Sequence, residues 1–80
     1  MRGKITIPAK FVDVEGEHDI KSIYRFNDCY NITHVYFIEG NSIEAMGDNT
    51  FLSCKKLCYI ELPKLLTKIG SSAFLGCDVL

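Results

Sequence analysis

Along the chain, apolar and polar positions follow two rhythms. The short one is strict alternation. Lys4-Ile5-Thr6-Ile7-Pro8, Thr33-His34-Val35-Tyr36-Phe37-Ile38 and residues 57–62 place β-branched or aromatic residues at alternate positions, and a side-chain period of two predicts strands. Pro8 and Pro63 close the first and third of these, as a residue without an N–H does at a strand end. The longer rhythm is a repeat. Met46-Gly47-Asp48-Asn49-Thr50-Phe51-Leu52-Ser53-Cys54-Lys55-Lys56-Leu57 recurs 23 residues later, without a gap, as Ile69-Gly70-Ser71-Ser72-Ala73-Phe74-Leu75-Gly76-Cys77-Asp78-Val79-Leu80. A fixed period of this size marks stacked units, each too small to bury its apolar face alone.

An earlier, worn copy precedes these two. Ile20-Lys21-Ser22-Ile23 corresponds to Leu66-Thr67-Lys68-Ile69, and Phe26, Cys29 and Ile32 keep the offsets of Phe51, Cys54 and Leu57. The columns Phe26/Phe51/Phe74 and Ile32/Leu57/Leu80 share intervals of 25 and 23 residues, and the extra two fit a turn at Gly40-Asn41. Residues 9–19 fall outside the repeat. Phe11-Val12-Asp13-Val14-Glu15 alternates like a strand or hairpin arm until Gly16 and Glu17-His18-Asp19 break it. This stretch is an insertion, either a surface loop or a partial N-terminal cap. Residues 1–80 are expected to form one domain of about three repeats.

The phrase apolar-Gly, two polar residues, Ala/Thr-Phe, two variable residues, Cys, two variable residues, Leu, then a strand ending in Pro, resembles the BspA-like (Treponema-type) class of leucine-rich repeats. The resemblance is specific over residues 33–80, weaker over 20–32, and limited to one strand phrase at the N-terminus. It implies an α/β repeat solenoid, a right-handed coil with short parallel strands on a concave face and short turns or helical fragments on the convex side. It also implies a binding or adhesion module, not an enzyme.

Alternation assigns the faces of the strands. Ile5, Ile7, Val35, Phe37, Ile60 and Leu62 are expected to face the core, with Phe26, Phe51 and Phe74 stacked opposite and the cysteines beside them. Phe51 and Phe74 should both be almost fully buried. The outward residues are then Lys4, Thr6, His34, Tyr36, Tyr59 and Glu61. Parallel pairing draws them into one patch of the amphipathic kind enriched at interfaces, although aromatic residues also favour strands for packing alone. Gly47 and Gly70 sit at the same repeat position, where either a positive φ or close packing demands glycine.

Charge and cysteine placement narrow the function further. The net charge of −1, without a block of like charges, speaks against nucleic acid and an anionic membrane surface. No apolar run approaches a membrane span, and Met1-Arg2-Gly3-Lys4-Ile5 lacks the pattern of a signal peptide. These features point to a soluble cytoplasmic protein. Cys29, Cys54 and Cys77 each follow a column Phe by three residues, so they read as reduced, small core residues. A zinc site from Cys54 and Cys58 with His18 or His34 lacks paired-ligand spacing. No nucleophile signature or phosphate-binding glycine pattern is present, and no catalytic residue, metal or cofactor is expected.

The function expected is protein binding through the concave face or an open end of the stack. The alternatives are a small free-standing inhibitor that blocks an enzyme by docking a loop, residues 15–19 of the insertion, or an open end, and a structural piece of a longer repeat protein. Met1 suggests a whole chain or an N-terminal piece. The inward Leu80 suggests a truncated or covered end. An uncapped last copy predicts association, as a homodimer or end to end.

Overall fold

The alternating runs form strands, and the repeat pairs them in parallel. A computed structural model describes residues 2–26 and 29–80; Met1, and Asn27 and Asp28 of the worn copy, lie outside the described residues. The described strands are β1 (Arg2–Ile7), β2 (Lys10–Asp13), β3 (Gly16–Asp19), β4 (Ser22–Ile23), β5 (Asn31–Phe37), β6 (Ala45–Met46), β7 (Tyr59–Ile60) and β8 (Lys68–Ile69). They make two three-stranded parallel sheets, ordered β1-β5-β7 and β4-β6-β8, and one antiparallel hairpin, β2-β3.

In the first sheet Gly3 pairs with Ile32 and Lys4 with His34, so Thr33 is an extra residue on β5. This bulge shifts the alternation by one. It explains why Ile32 and Val35, three apart, are both fully buried, with Phe37 continuing the inner face. Ile7 is buried, and Ile5 and Ile60 pack against the same core. Leu62 departs from expectation and is 51% exposed. Its counterpart one strand back, Phe37, lies in the middle strand with a neighbour on each side, whereas β7 is the sheet edge.

The turn side differs more. No described residue is helical, so the expected helical fragments are replaced by successive i→i+3 turns. Leu52 N–H donates to Asn49 O, Cys54 N–H to Phe51 O and Leu57 N–H to Cys54 O; 23 residues on, Leu75, Cys77 and Leu80 donate to Ser72, Phe74 and Cys77. Left-handed residues keep these turns from joining into a helix. Asn49 and Ser72 share one repeat position at φ 60° and 58°, and Ser53 and Gly76 share another at 58° and 78°. The β4-β6-β8 sheet, absent from the alternation pattern, is built from the two residues before each of Tyr24, Gly47 and Gly70.

Stacking between copies is carried by backbone and rings together. Phe51 N–H donates to Ala73 O at 2.8 Å and Ser53 N–H to Leu75 O at 2.7 Å, while Phe26 N–H donates to Thr50 O at 3.0 Å. Phe26 stacks on Phe51 with centroids 5.0 Å apart, and Phe51 on Phe74 at 5.7 Å. Phe51 is fully buried, but Phe74, expected to match it, is only half-buried because its ring is covered from one side. Thr50, the buried polar residue of this core, donates its hydroxyl to Gly47 O. Neither Gly47 nor Gly70 has a positive φ. Close packing selects them: a Cβ at Gly70 would lie 2.5 Å from Asp48 N, and one at Gly47 2.8 Å from the Tyr24 ring.

Residues 9–19 are ordered into the β2-β3 hairpin, and Glu17-His18-Asp19, expected to break the pattern, forms its second arm. Lys10 Nζ donates to Asp19 at 2.8 Å. That hydrogen bond, with the attraction of the two charges, raises the Lys10 pKa and lowers that of Asp19. The pair is exposed and contributes little to stability.

The cysteine column is also not as expected. Cys29 and Cys54 form a disulfide, with Cα atoms 5.6 Å apart, leaving Cys58 exposed and Cys77 partly buried as free thiols. The physical reason is the stacking itself: adjacent copies bring their equivalent cysteines to the separation a disulfide needs.

Two outcomes follow. Phe51→Ala should lower the free energy of unfolding by about 3–5 kcal/mol, and Phe74→Ala by clearly less, both read from urea denaturation; equal losses would contradict the half-covered environment of Phe74. Thiol titration of unfolded, unreduced protein should find two free thiols, rising to four after reduction. Four before reduction would remove the disulfide.

Candidate functional site

The outer face of the β1-β5-β7 sheet gathers the outward residues of its three strands. Register sets Lys4 beside His34 and Thr6 beside Tyr36, then His34 beside Tyr59. Glu61 follows in line, because its N–H donates to Val35 O at 3.0 Å. The face therefore carries two rows, Lys4-His34-Tyr59 and Thr6-Tyr36-Glu61. Past the β5 bulge the alternation is regular, and buried Val35 and Phe37 set His34 and Tyr36 outward.

At the centre are three rings. His34 lies 6.3 Å from Tyr36 and nearly parallel to it, Tyr36 lies 5.6 Å from Tyr59 at 42°, and His34 lies 6.1 Å from Tyr59. Such tilted and offset aromatic contacts are attractive in themselves, so the rings hold one another in place. His34 is fixed further by Thr33, whose Oγ1 lies 2.8 Å from Nδ1. His34 and Tyr36 are half-buried, and Tyr59, Lys4, Thr6 and Glu61 are exposed. A positive side chain therefore begins one row and a negative one ends the other.

Two neighbours of this face were not assigned to it from sequence, where Cys58 entered only as a candidate zinc ligand with Cys54 and His18 or His34. Cys58 Sγ donates to Thr33 O at 3.4 Å and lies 3.9 Å from His34 Nε2. Its place one residue before Tyr59, beside the worn bulge at Thr33, carries no repeat signal. Past Tyr36 and Glu61 the face opens into a groove of about 470 Å³, with exposed Ile38, Leu62 and Leu65 among its walls and Glu39, Glu61 and Lys64 at its rim. The misplaced inward assignment of Leu62 hid this groove.

Among the described residues, the other titratable side chains noted in the sequence are placed apart from this face. His18 lies 2.9 Å from Asp13 within the hairpin and stacks on Phe11 at 5.1 Å. Cys54 is held in the disulfide, away from Cys58. Among the described residues, no group of three or more His, Cys, Asp or Glu side chains is placed to hold a metal ion. No described helix is long and apolar enough to cross a membrane.

Comparison with known proteins gives one match. A family model described as a BspA-type leucine-rich repeat region of 6 copies matches residues 4–80. No curated protein and no solved structure matches the chain.

Proposed function

We propose, starting from the fact that the chain belongs to the BspA-type leucine-rich repeat family, that it is a protein-binding module whose docking face is the outer side of the β1-β5-β7 sheet. The observation that carries this reading is the cluster of His34, Tyr36 and Tyr59, three rings from two adjacent strands in mutual contact on an open sheet face. Tyrosine supplies large contact area with few torsions to freeze, which makes it a frequent anchor at interfaces. Lys4 and Glu61, at opposite corners of the patch, set the polarity of the partner surface. The role is that of a scaffold for recognition and not of an enzyme.

The hairpin supports a second reading, an inhibitor that docks by its inserted loop. Phe11, Val12 and Val14 are 49%, 75% and 102% exposed. That is an unusual amount of apolar surface for one small hairpin. Association between copies is a third contact mode. The last repeat leaves Ile69, Leu75, Val79 and Leu80 half exposed or more, and β7 and β8 are sheet edges. Both features suit docking of a further copy of the repeat. The Cys29–Cys54 disulfide favours an oxidising compartment over the cytoplasm expected from the sequence.

Alanine substitution separates the docking faces. Tyr36→Ala and Tyr59→Ala should each weaken a purified protein partner by about 1–2 kcal/mol, by calorimetry, with the circular dichroism spectrum unchanged. Loss of affinity only from Phe11→Ala or Val14→Ala would transfer the function to the hairpin. For self-association, sedimentation at micromolar concentration should show a species heavier than the 9.0 kDa chain. Ile69→Lys and Leu75→Lys should dissolve it, and a concentration-independent monomer would count against this third contact mode.

A further inference from the structure

The disulfide joins the first two cysteines of a column of three. Cys29, Cys54 and Cys77 occupy one repeat position, 25 and 23 residues apart. The third is free. Its copy is seated on the second by the Phe51-to-Ala73 and Ser53-to-Leu75 hydrogen bonds at 2.8 and 2.7 Å, and by the Phe51–Phe74 ring stack. Its thiol donates to Phe51 O at 3.1 Å, the same carbonyl that accepts from Cys54 N–H. The free sulfur is therefore held against the turn that carries Cys54.

We infer that the disulfide is exchangeable along this column, with Cys54 as the shared member that pairs with either Cys29 or Cys77. Thiol–disulfide exchange needs a thiolate approaching one sulfur from the side opposite the departing sulfur. Copy stacking supplies that order, because Cys29 and Cys77 belong to the copies on either side of Cys54. In the step, Cys77 gives its proton to solvent and its thiolate attacks Cys54 Sγ. The Cys54–Cys77 bond forms as the Cys29–Cys54 bond breaks. The electron pair leaves on Cys29, which takes a proton from solvent. One disulfide and one thiol stand on each side, so no oxidant or reductant is consumed.

The consequence is a staple that moves by one copy. With Cys29–Cys54 closed, the first and second copies are joined and the third is held by non-covalent contacts. With Cys54–Cys77 closed, the third copy is secured and the first is held by non-covalent contacts alone, among them the Phe26–Phe51 stack. The half-covered end at Phe74 is thus the end that exchange would lock. Burial pushes the Cys77 thiol above its usual pKa. Exchange is accordingly slow near neutrality and quickens as pH rises toward the thiol range.

The full-length Cys58→Ser variant, unreduced, tests this without interference from the exposed thiol. It is incubated at pH about 9.5, above the ordinary thiol pKa of about 8.5, so that a thiol with a raised pKa is also ionised in part, then acid-quenched, alkylated and digested with trypsin. Cleavage after Arg25, Lys55 and Lys68 leaves Cys29 and Cys54 in one peptide and Cys77 in another, so the two pairings differ in mass. The expected result is a cross-linked pair of peptides with Cys29 alkylated, growing to a plateau, and absent when Cys77→Ser is added. A Cys77 alkylated in every molecule at plateau, or linked only to Cys29, overturns the inference. As a second arm, Cys29→Ser in the same background, oxidised with glutathione disulfide, should form Cys54–Cys77. If this variant is folded by circular dichroism yet keeps both thiols, the inference also fails; if it does not fold, the first arm decides.

Discussion

Each copy of this repeat completes the core of its neighbour, and the Phe51 ring is where that dependence is most concentrated. It is covered on one side by Phe26 and on the other by Phe74, while its N–H is bonded to the next copy. An aromatic side chain stacked on both faces contributes its hydrophobic transfer energy and the attraction of its ring neighbours together. The backbone bonds fix the spacing at which this works. Because burial is shared, it is uneven: Ile32, Val35, Ile43 and Leu57 in the middle are sealed, whereas Ile69 and Leu75 in the last copy are half exposed or more. Exposure at the end of the stack and closure at its centre are one property.

The turn side follows from the same constraint. Successive copies must return the chain to nearly the same place, so the path bends at fixed repeat positions. Left-handed residues make the bends, at Asn49 and Ser72 and again at Ser53 and Gly76. Asn, Ser and Gly tolerate that conformation better than β-branched residues do. Glycine at Gly47 and Gly70 serves another purpose, allowing neighbouring turns to approach within the reach of a missing Cβ. The result is two narrow parallel sheets joined by turns. The longer strands β1 and β5 lie together in one sheet, which is why that sheet displays a face broad enough for the aromatic patch.

The cysteine column shows how a packing position acquires chemistry. Cys54 is fully buried and would pass as a small apolar residue. Stacking places its equivalent, Cys29, at bonding separation. A link closing a chain segment of this length stabilises by about 3.5 kcal/mol, a large share of what so small a domain can retain. Cys58 is of another kind. It lies off the column, exposed beside His34 on the outer sheet face instead of in the core.

The sequence by itself determined the repeat, the three strands of the patterned sheet and the family. All three depend on local alternation or on identical residues at a fixed interval, as Phe51/Phe74 and Cys54/Cys77 show. It also determined which six side chains share the outer face, since Lys4, Thr6, His34, Tyr36, Tyr59 and Glu61 follow from alternation once the strands are parallel. Tertiary structure decided the rest. Two-residue strands such as Ala45–Met46 are too short to show a period, and only pairing with a neighbouring copy makes them strands. Residues 49–57 lack the local signal that separates a helix from a chain of turns; positive φ at Asn49 and Ser53 settles it. Burial of Phe74 and Leu62 depends on how many neighbours cover them, and oxidation of Cys29 and Cys54 on a distance between copies. Each of these is a relation between segments 23 to 25 residues apart, which no local pattern of residues encodes.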